Sequence, residues 1–143
     1  MKNKNYIDGK VFLRHLIVQK NRYNYHKVMG TLDTFEQDPY VIECYQLLCK
    51  KLSGRYNFSN YTYREDMISE GVMNCFMYWH NFNPDKSTNV FAYFTTIASQ
   101  AFVRYIKKEK RQTTVKEAVI RNMLVDTEQE TSYKKFLEKY VDE

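Results

Sequence analysis

Glycine and proline are scarce in this chain, four and two in 143 residues. So few breakers, with little alternation of β-branched and polar residues, argue against a strand-rich fold and for an all-α one. No apolar run approaches the ~20 residues needed to span a bilayer, and the N-terminus has no hydrophobic leader stretch, so no membrane partner is expected. The three cysteines include no Cys-x-x-Cys, which argues against a disulfide framework and fits a reducing cytosol. Cys44, Cys49, Cys75 and His80 are the nearest thing to a zinc set, yet a five-residue spacing rotates two helical ligands apart by about 140°. Buried, unliganded thiols fit better, and no metal or other cofactor is expected. Also missing is any carboxylate pair, nucleophile–base set or phosphate loop at usable spacing, so an enzyme is not expected.

Charge is present, and it is unevenly placed. The net charge is +5, with 43% hydrophobic residues, enough for one core. Residues 1–27 hold seven Lys and Arg against Asp8, a net +6, and residues 91–111 hold five against Glu109, a net +4. Residues 126–143 hold six acids against three lysines, a net −3. Two basic regions and an acidic end imply an anionic polymer partner and a separately used tail.

The hydrophobic pattern gives a series of helices. Asp8 can cap a short helix through Val18, with Val11, Phe12, His15, Leu16 and Val18 as apolar positions, and Gly30 reads as a break. Thr34 or Asp38 begins the next, whose apolar face holds Val41, Ile42, Cys44, Tyr45, Leu47, Leu48 and Leu52 before Gly54. A connection over residues 55–62 leads to Thr62-Tyr63-Arg64-Glu65, which has the form of a capping box. The third helix then runs to about His80. Its predicted buried arc is Ile68, Val72, Cys75, Phe76 and Trp79. Asp66, Glu70, Met73 and Met77 share another face: either a protein-binding patch or acids beside a second packing layer.

Pro84 and its polar neighbours force a turn, and Ser87, Thr88 or Asn89 caps a helix over residues 89–111. Val90, Phe94, Ile97, Ala98, Ala101, Phe102 and Tyr105 fall on its inner arc. Tyr93, Thr96, Gln100, Arg104, Lys107 and Arg111 form a second stripe, flanked by Lys108 and Lys110. Such a stripe can stack on a base, hydrogen-bond to base edges and then meet phosphates. A solvated basic helix face is the plainer alternative.

Residues 63–111 resemble conserved region 2 of bacterial sigma factors, and more closely the late-transcription sigma factors of T-even-like bacteriophages. The likeness rests on Asp66-x-x-x-Glu70-Gly71, the Asn81-Phe82-Asn83-Pro84 turn, the aromatic-Thr segment, Gln100-Ala101 and the basic helix end. It implies that Asp66 and Glu70, with Met73 and Met77 on the same face, dock on the β′ clamp helices of host core RNA polymerase. It places the aromatic that stacks on a flipped-out base of the −10 element at Tyr93, with Gln100 reading the element's upstream edge and Arg104 matching a family arginine. Phe94 is the second choice for stacking. Thr96 and Ile97 stand where a tryptophan pair props open the duplex in primary sigma factors, so melting is expected to need help.

Only 32 residues follow Arg111, too few for a domain reading a −35 element. The tail carries Phe136, Leu137, Tyr140 and Val141 among charges and resembles a motif that binds the DNA sliding clamp; a packed terminal helix is the competing reading. The resulting organisation is a basic segment (1–34), a region 2-like core (35–111), an extra helix or linker (112–129) and a tail (130–143). The expected function is a sigma-type promoter-specificity factor in the cytoplasm of an infected bacterium. It would bind core polymerase and promoter DNA and depend on a coactivator and sliding clamp. A self-sufficient repressor and a polymerase-binding inhibitor are the alternatives.

Overall fold

Asp8, Gly30, Asp38 and Gly54 bound helices where the sequence offers breaks and caps, and helices fill the spaces between. The computed structural model describes residues 6–55 and 58–140, excepting the side chains of 126–134 and 136–140. The described residues form four α-helices, α1 Gly9–Met29, α2 Pro39–Ser53, α3 Arg64–Tyr78 and α4 Val90–Tyr140, with short 3-10 turns at Leu32–Thr34 and Trp79–Asn81. No strand occurs among the described residues. The fold is all-α, as the composition predicts. The chain forms two compact units, Met1–Tyr105 and Ile106–Glu143.

The starts of α1, α2 and α4 are fixed by short polar side chains. Asp8 accepts from the Lys10 N–H at 3.0 Å, Asp38 from Tyr40 at 2.9 Å, and Asn89 from Ala92 at 3.0 Å. Gly30 ends α1 at φ 72°, a conformation that favours glycine. Gly54 ends α2 in a right-handed conformation instead.

The core of the first unit is aromatic. Phe12 of α1 stacks on Phe94 of α4 at 5.3 Å, and Tyr45 of α2 meets the same ring at 5.1 Å. Val90, Phe94, Ala98, Ala101 and Phe102 are buried, so the inner arc of α4 lies where the periodicity places it. Phe102 reaches α3 at Gly71, where a Cβ would lie 2.5 Å from its Cε1 and 3.1 Å from the Cys49 sulfur. A part-buried polar network, with Gln19 fully buried, closes the other end. Gln19 accepts from the Asp38 N–H at 2.7 Å and donates to Gln37; Gln37 accepts from the Tyr45 hydroxyl and donates to the Phe76 carbonyl at 2.8 Å. These bonds tie α1, α2 and α3 together through amides that burial alone would disfavour.

Four sequence expectations are corrected. The first helix does not stop near Val18. It continues to Met29, because Tyr23 packs edge-on against Trp79 at 5.3 Å and Phe35 at 5.5 Å. Val18 is exposed. The Thr62–Glu65 capping box does not form: α3 starts at Arg64 without a side-chain cap, and its entry is set by Tyr63 stacking on Tyr61 and tilting onto Tyr105. The buried face of α3 is rotated by about one residue, to Met67, Gly71, Asn74 and Cys75, leaving Ile68 and Val72 half-buried and Phe76 exposed. The physical reason is Gly71, whose missing side chain admits Phe102, so α3 packs through its smallest residue rather than its bulkiest apolar ones. The fourth helix runs on past Arg111 to Tyr140. All three cysteines are buried and free.

Gly71→Ala should destabilise the protein despite adding the best helix former. The propensity gain is about 1 kcal/mol, whereas overpacking a fitted contact costs about 1–3 kcal/mol. Urea denaturation would show a lower midpoint; a raised midpoint would contradict the close packing. A second prediction concerns Asp38. Burial would raise its pKa, but the His15 hydrogen bond at 2.7 Å and the Tyr40 N–H outweigh that and hold the carboxyl below its usual range. A lowered folded pKa gives stability that is present above the unfolded value and lost as pH falls through the folded one. Asp38→Ala should therefore cost about 1 kcal/mol near neutrality. Wild type and variant should converge as pH drops below about 4, and equal gaps at pH 7 and pH 2.5 would count against this linkage.

Candidate functional site

The rotation of α3 decides what its outer side offers. Asp66 and Glu70 are exposed, and Met73 and Met77 are 54% and 45% exposed, so the methionines do not form a second packing layer. Phe76, 43% exposed, joins them. Beside the acids runs a groove of about 460 Å³, lined by Gln46 of α2 and by Ile68, Ser69, Val72, Met73 and Phe76 of α3. Acidic side chains next to an open apolar groove suit a partner surface that combines cations with apolar anchors. Sequence reasoning missed the groove because it assigned Ile68, Val72 and Phe76 to the core; Gly71 at the centre of the helix was the available signal.

The stripe on α4 is held to α3 at two points. Tyr93 is half-buried: its ring lies 5.2 Å from Phe82 and 5.0 Å from Phe94, and its hydroxyl donates to the Tyr78 carbonyl at 2.6 Å. Burial pushes its phenol pKa up. Thr96 is exposed, with its hydroxyl turned back to the Ala92 carbonyl at 2.8 Å. Gln100 is exposed. Arg104 is exposed as well, and its Nη2 donates to Asn74 Oδ1 at 2.9 Å. Phe94 is fully buried and cannot serve as the alternative stacking platform. In the second unit, Lys107, Lys108, Lys110 and Arg111 are all exposed. The side chains of Phe136, Leu137 and Tyr140, and all of Val141, lie outside the described residues.

A further polar feature was not read from the sequence. A cleft of about 680 Å³ opens between α1 and the turn after α3, with Lys20, Asn24, Lys27, His80 and Asn83 among its lining residues. Lys20 donates to the His80 carbonyl. Burial and the neighbouring Lys27 charge lower its pKa. Cations with side-chain amides suit an anionic, hydrogen-bonding ligand, which fits the +6 charge of residues 1–27, seven cations against Asp8.

No curated protein matches the chain in a sequence comparison. Residues 41–112, just over half of its length, match the family model of sigma-70 region 2. The match covers α2 from Val41 onward, α3 and the part of α4 that carries the stripe. With the all-α architecture, the exposed acidic face of α3 and the cationic stripe of α4 already in place, this chain belongs to the sigma-70 region 2 family.

Proposed function

We propose that this chain is a sigma-type promoter-specificity factor, which docks on core RNA polymerase through α3 and engages a melted −10-like element through α4. The observation that carries the reading is the pairing, within one matched region, of the exposed Asp66, Glu70, Met73 and Met77 face with the Tyr93, Thr96, Gln100 and Arg104 stripe. The two faces call for partners of different chemistry: cationic and apolar for the first, phosphates and unstacked bases for the second. The exposed Lys107, Lys108, Lys110 and Arg111 supply phosphate contacts. The lysines of the α1 cleft add to the cationic surface.

The finer reading is a late-transcription factor of a bacteriophage, acting in the infected bacterial cytoplasm with a coactivator and a sliding clamp. Its support lies in the sequence. Thr96 and Ile97 provide no aromatic wedge, and Phe136, Leu137 and Tyr140 provide apolar anchors in an acidic segment. A tether to a clamp encircling DNA raises effective concentration where promoter contacts are few.

Docking and opening should separate by mutation. Glu70→Lys with Asp66→Lys should abolish capture of core polymerase while leaving the helical circular dichroism unchanged, because reversing charge across such an interface costs several kcal/mol. Tyr93→Ala should bind polymerase normally and lose permanganate reactivity of the melted −10 region. Undiminished polymerase capture by the double variant would remove the docking assignment; tight binding of duplex DNA by the wild type without polymerase would favour a repressor, and capture without any opening would favour an inhibitor. For the tail, truncation after Glu130 should preserve polymerase binding and basal run-off transcription and eliminate stimulation on clamp-loaded templates. An equal clamp response by the truncated and full-length chains would make the tail a structural helix.

A further inference from the structure

Asn74 is an unusual occupant of its site. It sits on the packed face of α3, only 5% exposed, one turn after Glu70 and beside Gly71 and Cys75, which are also buried. An amide buried there is unfavourable unless its polar atoms are bonded. Both ends are: Nδ2 donates to the Glu70 carbonyl at 2.7 Å, and Oδ1 accepts from Arg104 Nη2 at 2.9 Å. In a regular helix the Glu70 carbonyl already receives the Asn74 backbone N–H. The side-chain bond to it therefore satisfies no otherwise bare acceptor. Its effect is to fix the amide plane and aim Oδ1 at α4.

We propose that Asn74 is a positioning residue for DNA recognition, holding the Arg104 guanidinium in one orientation on the α4 stripe. An exposed arginine left free samples many rotamers and offers its charge to any phosphate within reach. One nitrogen held by a buried, doubly bonded amide fixes the direction of the rigid planar fork, so its remaining N–H groups meet one acceptor geometry in preference to others. The arginine thereby gains selectivity without gaining affinity for DNA in general. Tyr93 is treated in the same way eleven residues earlier, its hydroxyl tied to the Tyr78 carbonyl. Helix α3 thus templates the stripe as well as carrying the docking face. This inference rests on the sigma-type reading, and it assigns a DNA-recognition role to a residue that faces the interior.

The test is a double-mutant cycle in reconstituted initiation with core polymerase, read as the ratio of open complexes on matched and single-substituted −10-like elements. Asn74→Ala should lower that ratio at one position by about five-fold or more. Polymerase affinity and the salt dependence of DNA binding should stay unchanged, since no charge is removed. In an Arg104→Ala background, Asn74→Ala should have no further effect on the ratio. Arg104→Lys, a change at an exposed position that spares the interior, should reproduce the loss of selectivity at unchanged salt slope even if Asn74→Ala fails to fold. An unchanged ratio in Asn74→Ala or Arg104→Lys, or a loss from Asn74→Ala that persists in the Arg104→Ala background, would overturn the positioning role. A wild-type chain that initiates normally in those assays separates that failure from a failure of the sigma reading, which would appear as no polymerase-dependent initiation at all.

Discussion

The contact between Phe102 and Gly71 sets how α3 and α4 present their outer faces in the first unit. An aromatic ring seated on a helix where no side chain intervenes brings α4 closer to α3 than any side chain at Gly71 would permit. The Cys49 sulfur borders the same spot from α2, and Phe58 meets the ring edge-on at 5.2 Å. Three helices are thus registered at one point. Because α3 must present Gly71 inward, it presents Asp66, Glu70, Met73 and Phe76 outward, and because α4 must present Phe102 inward, Gln100 and Arg104 remain outside. The glycine of the Asp-x-x-x-Glu-Gly pattern therefore acts through packing, while the two carboxylates beside it are left exposed.

The N-terminal helix is integral to this unit. Phe12 and Leu16 are buried in the shared core, and Gln19 joins the amide network that reaches the Phe76 carbonyl on α3. Its positive charge is consequently carried on a fixed surface. Lys20 and Lys27 face a concave cleft walled on its other side by the turn after α3. The same turn precedes α4, so one short polar segment borders both the cleft and the start of the stripe.

Much of this was legible in the sequence, and the exceptions share a cause. Helix α4's inner arc was readable because Val90, Phe94, Ala98, Ala101 and Phe102 repeat at helical spacing without competition. Asp8 was readable as a cap, and Asp38 and Asn89 stood among the candidates with Thr34, Ser87 and Thr88, because such side chains satisfy local donors whatever the tertiary context. The rotation of α3 was not, since periodicity weighs each side chain by its apolarity and gives a glycine no weight. The continuation of α1 was hidden because residues 21–26 look polar, while Tyr23 is anchored by Trp79 and Phe35, far along the chain. The Thr62–Glu65 pattern lost to aromatic packing for the same reason: Tyr61, Tyr63 and Tyr105 fix the chain's path before a hydroxyl cap could. Asn74 and the Lys20 cleft were invisible in one dimension, each made by residues from two separate elements.

The burial of all three thiols has a practical chemical consequence. Burial raises the Cys44 pKa to about 11, and the hydrogen bond that the Cys75 thiol donates to Cys49, together with burial, pushes the Cys75 pKa up as well. Thiolate is the reactive form, so neither of these groups offers an alkylating or dye reagent a competent nucleophile while the helices stay packed. Cys49 is fully buried too, so little maleimide labelling of the native protein is expected. A single cysteine introduced on the outer face of α3 or on the α4 stripe could carry a fluorophore or crosslinker without removing the natural three. Conversely, the rate at which those three become reactive is a clock for opening of the α2–α3 core, readable in a cuvette without any label on the partner.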